Sequence, residues 1–237
     1  MANYATYSDL GDRKVNEDTV AVAVGRNDAL CLVVADGLGG HGGGQEASAL
    51  AARTICDGWE SQADPEHLRD LVCRAHRAVQ KAQTAQCVMK STVTVLAVAD
   101  DRAAWAHVGD SRLYHFVQGE LVFQTKDHSV SQVAVWLGDI TQEQIRFHQD
   151  RSRILRALGQ EGEVKVETGC TPLEPGMHAF LLCTDGFWEC VLEEEMEADL
   201  AQALGPKDWL NRMRGVVARR APAHHDNNSA AAVWLER

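Results

Sequence analysis

No apolar run in the sequence is long enough to cross a membrane, and the first residues, MANYATYSDLGDRK, lack the apolar core of a secretory signal. A soluble, cytoplasmic chain with no membrane contact is therefore expected. Basic residues are scarce: 23 Lys and Arg stand against 34 Asp and Glu, for a formal net charge of -11. That balance argues against a nucleic-acid partner, because binding a phosphate backbone needs a basic face. No C-x-x-C pair occurs among the seven scattered cysteines. Cys31 and Cys183 sit inside apolar stretches and read as small core residues in a reducing compartment. G-x-x-x-x-G-K-[ST] and H-E-x-x-H are also missing, which leaves nucleotide triphosphatase and zinc-protease readings without support. Neither linker-like composition nor an internal repeat divides the 237 residues, so one domain spanning 1–237 is expected.

What the sequence does have is Cys31 to Ser48, CLVVADGLGGHGGGQEAS. An apolar strand delivers Asp36 straight into a tract in which glycine takes six of the eight places from Gly37 to Gly44, and a helix follows. Gly37, Gly39 and Gly42 spell the G-x-G-x-x-G of dinucleotide-binding folds. The context opposes that reading. A second helix, opened by Asp64-Pro65, follows the first where a strand is required, and the charge of Asp36 would repel a pyrophosphate. A metal site using Asp36 and the Gly37 carbonyl, or a plain flexible connection, remains.

Strands are expected over Tyr4 to Ser8, Thr19 to Val24 and Ala29 to Ala35, and helices to about Trp59 and from Asp64 to Ala82. The stripe Leu68, Leu71, Val72, Ala75, Val79 and Ala82 puts His67 and His76 on the wet side of the second helix. Thr92–Ala99, Ala103–Val108, Arg112–Val117 and Leu121–Gln124 read as an antiparallel meander. Two short helices at Ser129–Leu137 and Thr141–Phe147 belong to a segment suited to a mobile flap. Strands follow near Val164–Thr168 and at His178–Cys183, then a helix over Asp208–Arg220 and a closing strand over Ala230–Leu235. The run Glu193-Glu194-Glu195 reads as a solvated acidic surface. Blocks of antiparallel strands with paired helices make the class α+β, stacked sheets with helices outside.

The arrangement at Asp36 recurs. Trp105 to Val108 runs into Gly109-Asp110, Ala179 to Thr184 into Asp185-Gly186, Asp226-Asn227 precedes the last strand, and Asp18 stands beside Glu17. Each pair alone is an ordinary turn. Together, at the ends of strands in shared sheets, they gather carboxylates that would raise one another's pKa values unless a cation lay among them. All-oxygen sites suit Mg²⁺ or Mn²⁺, and two such ions sharing Asp36 can activate water and clamp a phosphoryl group. Asp127-His128-Ser129 names three triad residue types in a row, but a triad converges from separate places, so a structural turn is expected there. His224 and His225 are expected to be surface or supporting residues.

The segments RKVNED (13–18), VADGLGGH (34–41), STV (91–93), VGDSR (108–112), KDHS (126–129), CTDG (183–186) and DN (226–227) resemble, in order and almost end to end, the motifs of the protein phosphatase 2C family, the metal-dependent serine/threonine phosphatases. The compact length resembles the stand-alone bacterial members. The resemblance implies a four-layer αββα sandwich, two antiparallel sheets flanked by helix pairs, with a flap at about 130–151. It implies that Asp36 bridges two Mn²⁺ or Mg²⁺ ions, with the Gly37 carbonyl on one and Asp185 and Asp226 on the other. Asp18 is held directly or through water, and Asp110 with Asp185 forms a weaker third site. Arg13 clamps the substrate phosphate, and His41 is the general acid for the leaving serine or threonine oxygen. The reaction implied is attack of metal-activated water on the phosphorus of phosphoserine or phosphothreonine in proteins, reversing a Ser/Thr kinase, by a monomer. The substrates would include the kinase or its targets. A non-catalytic phosphoprotein-binding module on the same fold is the alternative. Leu38 stands where methionine is usual, Ser91-Thr92-Val93 where Gly-Thr-Thr is common, and Ser229 where threonine often follows.

Overall fold

The computed structural model describes residues 3–38 and 43–237. In chain order its strands are β1 (Asn3–Asp9), β2 (Asp18–Val24), β3 (Leu30–Leu38), β4 (Lys90–Ser91), β5 (Val93–Ala99), β6 (Arg102–Val108), β7 (Arg112–Val117), β8 (Glu120–Gln124), β9 (Glu167–Pro172), β10 (Met177–Cys183) and β11 (Asn228–Glu236). The helices are α1 (Gly43–Gly58), α2 (Pro65–Ala82), α3 (Val130–Leu137), α4 (Asp185–Trp188), α5 (Glu193–Gln202) and α6 (Pro206–Arg220).

Two antiparallel sheets form, one ordered β1-β11-β10-β7-β8 and the other β2-β3-β5-β6-β9, with β4 on the end of β3. Strand β3 shows why its sequence is an unbroken apolar run. Leu30, Leu32 and Val34 point between the sheets to meet Phe180, Leu182 and Val233, while Cys31, Val33 and Ala35 point outward beneath α1. Alanines at 47, 51 and 52 let α1 lie close on that face, and α2 adds Leu68, Leu71 and Val72. On the outer face of the other sheet, Tyr114, Phe116, Ala179 and Leu181 pack under Met196 and Leu200 of α5 and Trp209, Leu210 and Met213 of α6. The result is the α+β, helix–sheet–sheet–helix layering expected.

Four expectations need correction. The meander is two hairpins in different sheets: β5 pairs β6 in one and β7 pairs β8 in the other, so Gly109-Asp110 is the crossing between sheets. Positive φ at Gly109 (106°) makes the sharp change of direction feasible. The strand expected near Val164 lies later, over β9, because Val164 and Val166 pack against the core from a loop. His76 is buried rather than wet: its Nε2 donates to the Gly162 carbonyl at 2.9 Å, and its Nδ1 accepts from Gly159 N at 3.2 Å. The acidic run opens α5 instead of floating in solvent. Glu195 accepts from Leu192 N, and Glu193 pairs with Arg146 of the 130–151 segment. Asp64 caps α2 as expected, accepting from the amides of Glu66 and His67.

Candidate active site

Asp36 occupies the last inward turn of β3, directly opposite Asp18 of β2 in the ladder. Its backbone is held on both sides: Asp36 N donates to Thr92 Oγ1 at 3.0 Å, and Asp36 O accepts from Thr92 N at 2.8 Å and Ser91 Oγ at 3.0 Å. Thr92 Oγ1 also meets Ser111 Oγ at 2.7 Å, so Asp36 and the residue after Asp110 are fastened together. Gly37 must be glycine, because a Cβ there would collide with the Gly44 carbonyl oxygen at the start of α1. Its amide donates to Glu17 O at 3.0 Å.

Asp185 begins α4 at the end of β10, and a Cβ on the following Gly186 would strike the Asn227 carbonyl, which brings the Asp185 turn against Asp226-Asn227. Asn227 then gathers the N-terminal loop. Its Oδ1 accepts from Glu17 N at 2.8 Å, and its Nδ2 donates to the carbonyls of Leu10 and Val15 at 2.8 and 3.1 Å. That loop carries Arg13, whose guanidinium reaches Asp226 Oδ2 at 2.6 Å. Asp110 is buried at the sheet crossing, its carbonyl accepting from the Trp188 indole. Beside it, Arg112 makes a fully buried two-pronged pair with Asp127 and lies 3.5 Å from the centre of the Trp188 ring.

These elements enclose a cavity of about 890 Å³. Arg13, Asp36, Gly37, Asp110, Asp185 and Asp226 all line it, as their motifs suggested. Asp18 is buried behind the wall and accepts from Thr184 Oγ1 at 2.9 Å. His41 lies outside the described residues. Lys14, Glu17, Ser152 and Ile154 also border the cavity. Glu17 carried a signal in its place beside Asp18; Ser152 and Ile154 carried none, and arrive because Ile154 bridges Ser129 as the chain returns from the 130–151 segment. That segment is tied to α4 and α5 by two arginines. Arg146 donates to the carbonyls of Trp188 and Val191, and Arg151 pairs with Glu189 at 2.6 Å. Asp127 is held in the pair with Arg112, His128 Nδ1 accepts from Gly109 N and Ser129 caps α3, so the three side chains do not converge as a triad.

Electrostatics suit the cavity to a cation. Burial, and then the charges of Asp185, Asp18 and Asp110, push the Asp36 carboxyl well above its usual range. Burial followed by Asp110 and Glu189 does the same to Asp185. Asp18 and Asp110 are each pushed up to about 7, again by burial first. Asp185 Oδ1 is buried with no hydrogen-bond partner. An orphaned carboxylate oxygen, all-oxygen donors and a backbone carbonyl at a glycine fit a hard divalent cation.

The model of one family, protein phosphatase 2C, matches residues 7–218. The chain belongs to the protein phosphatase 2C family. The serine/threonine phosphatase Stp of Listeria monocytogenes is 28% identical over 235 residues, covering 95% of this chain and 91% of that protein. The Mycobacterium tuberculosis serine/threonine phosphatase PstP/Ppp superposes with a TM-score of 0.86 at 30% identity, covering 100% of this chain and 99% of the other. A second structure, the PstP catalytic domain in complex with two manganese ions, superposes with a TM-score of 0.81 at 29% identity over 98% of this chain and 97% of the other. Protein phosphatase 2C enzymes are metal-dependent, in keeping with the carboxylates gathered here.

Proposed function

We propose that the acidic cavity is where the chain hydrolyses phosphoserine and phosphothreonine in proteins. As a protein phosphatase 2C enzyme it is a metal-dependent protein serine/threonine phosphatase, and its substrates are phosphoproteins. The observation that carries the assignment of the site is the buried, unpartnered Asp185 Oδ1 among carboxyls driven toward protonation by burial and one another. Asp36, the Gly37 carbonyl, Asp185 and Asp226 would hold two Mn²⁺ or Mg²⁺ ions, with Asp18 joining directly or through water, and Asp110 with Asp185 would hold a third. Bound there, the ions supply charge neutralisation and an acidified water for in-line attack on phosphorus.

The chain's own residues supply the rest. Arg13, half exposed and anchored on Asp226, presents a guanidinium fork to the phosphate oxygens. His41 protonates the leaving oxygen, the general-acid role that the family resemblance implies. Residues 130–151 act as a flap of a single unit spanning 1–237, held to the wall by Arg146 and Arg151. No helix among the described residues is long and apolar enough to cross a membrane. A monomer in the cytoplasm, opposing a Ser/Thr kinase, completes the reading.

Hydrolysis of p-nitrophenyl phosphate and of a phosphothreonine peptide tests it, with Mn²⁺, with a chelator, and with Asp36→Asn. Turnover that needs Mn²⁺ and nearly vanishes in the variant is expected. Turnover indifferent to chelation would overturn the metal mechanism, and none on either substrate would favour a phosphoprotein-binding module.

A further inference from the structure

His107 of β6 faces Glu167 of β9 across their ladder, and β9 is the edge of its sheet. His128, from the loop after β8, lies flat on His107 with ring centroids 4.6 Å apart and planes 10° from parallel. One ligand atom from each of these three side chains falls within 4.8 Å of the other two, the one such group of potential metal ligands among the described residues. The aspartates of the acidic cavity are not part of it.

The protonation of both rings can be read from their partners. His107 is 1% exposed, and its Nε2 lies 3.0 Å from the Lys126 carbonyl, an acceptor only, so Nε2 carries the proton. Its Nδ1 is left with a bare lone pair, buried and without a partner. A histidine with one N–H fixed on a backbone carbonyl and the other nitrogen open is oriented as metal-ligating histidines are. His128 Nδ1 accepts from Gly109 N at 3.1 Å, so its proton is on Nε2, directed at Glu167 Oε2 at 3.3 Å. The Glu167 side chain is half exposed and opens the group to solvent at the sheet edge.

We propose that His107 Nδ1, His128 Nε2 and the Glu167 carboxylate bind one transition-metal cation of the Zn²⁺ class, at a site separate from the acidic cavity. Two imidazoles and a carboxylate are a zinc ligand set, and imidazole nitrogen selects Zn²⁺ or Co²⁺ over the Mg²⁺ and Mn²⁺ that an all-oxygen site prefers. Glu167 is already ionised. Ring lone pairs lie in the ring planes, so on binding the stacked His128 ring turns out of the stack and its single proton passes from Nε2 to Nδ1; Nε2 takes the metal, and the Gly109 amide loses its acceptor. No proton is released, and no redox change occurs.

The proposal does not depend on the phosphatase reading, and its test needs no turnover. The full-length, metal-stripped chain is titrated with Co²⁺ and followed by visible absorption, and with Zn²⁺ and followed by long-range ¹⁵N–¹H NMR of the histidines. The expected result is one Co²⁺ equivalent with nitrogen-ligand bands that survive Asp226→Asn and disappear in Glu167→Gln. Zn²⁺ should move His128 from the Nε2–H to the Nδ1–H tautomer and shift the Gly109 amide. Glu167→Gln, on a half-exposed edge position, should keep its metal-free melting temperature while its affinity falls at least tenfold. His107→Asn should abolish the site. Unmoved His128 and Gly109 resonances under excess Zn²⁺ would overturn the proposal. So would bands that persist in Glu167→Gln, or bands of thiolate-to-cobalt charge transfer alone, which would place the metal on cysteine.

Discussion

The indole N–H of Trp188 donates to the backbone carbonyl of Asp110 at 2.9 Å, joining the end of α4 to the crossing between the sheets. Asp185 stands at the other end of the same helical turn, so one short element braces two of the cavity's carboxylates.

Trp188→Phe keeps an aromatic ring beside Arg112 but removes both that donor and part of a buried ring system. A stability loss of about 1–2 kcal/mol is expected from the unpaired carbonyl. The more specific outcome is a raised apparent KM for Mn²⁺ with a smaller change in kcat. Urea melts and metal-dependence curves on the same preparation separate the two, and unchanged metal dependence would deny the bracing role.

Arg13 is exposed and pairs with Asp226 across 213 residues of sequence. Because both side chains face solvent, removing it should barely touch stability. Arg13→Ala should instead lower kcat/KM for a phosphopeptide roughly tenfold or more, mainly through KM, as expected when a phosphate clamp is lost. Arg13→Lys should recover only part, since an ammonium lacks the planar fork. Equal kinetics for all three proteins would remove Arg13 from substrate binding.

Asp36→Asn deletes a charge that burial and its neighbours already disfavour. Turnover should fall by at least roughly 10²–10³, the range for losing one group that stabilises transition-state charge. In chelator, the variant should melt at a higher temperature than the unsubstituted protein. With Mn²⁺ the order should reverse. A variant that melts lower under both conditions would show that Asp36 contributes to the fold rather than opposing it.

The pH dependence of the metal-stripped protein has a definite sign. Asp18 and Asp110, raised to about 7, and Asp36 and Asp185, raised well above the usual carboxylate range by burial, hold protons more tightly folded than unfolded. Their contribution is complete below the unfolded carboxylate pKa and is lost as pH climbs through the folded values. His107 and His115, lowered to about 4 chiefly by burial, act in the opposite sense, but only below their unfolded value of 6.5. Between pH 6.5 and about 8 the melting temperature in chelator should therefore fall. Saturating Mn²⁺ should flatten or invert the trend, because it binds the deprotonated groups. A melting temperature that rises with pH in chelator would contradict the assigned shifts.

Much of the cavity was legible because Asp36, Asp110 and Asp185 lie at the far ends of apolar strands and Asp226 just before one, and a strand boundary is a local pattern. Asp36, Asp110, Asp185 and Asp226 could be picked out without knowing which strands pair. What escaped was non-local. Nothing near Gly109 announces that β6 and β7 lie in different sheets, since a hairpin turn and a sheet crossing use the same two residues. His76 sits one place off the apolar stripe of α2 and is buried only because the loop at 159–162 supplies a carbonyl and an amide. Arg146 reads as an exposed charge in a polar segment, yet is buried on carbonyls more than forty residues away in sequence.

Asn227 binds the loop before β2 through three hydrogen bonds, and β11 lies between β1 and β10. During synthesis, β1 leaves the ribosome without its ladder neighbour and waits for β11, whose Asn228 pairs with Asp9, to emerge. Arg13 and Asp226 come into register only when that late strand docks. The edge that carries Arg13 and Asp226 is therefore completed only when folding of the first sheet is finished, a step that the long-range pairing itself makes slow.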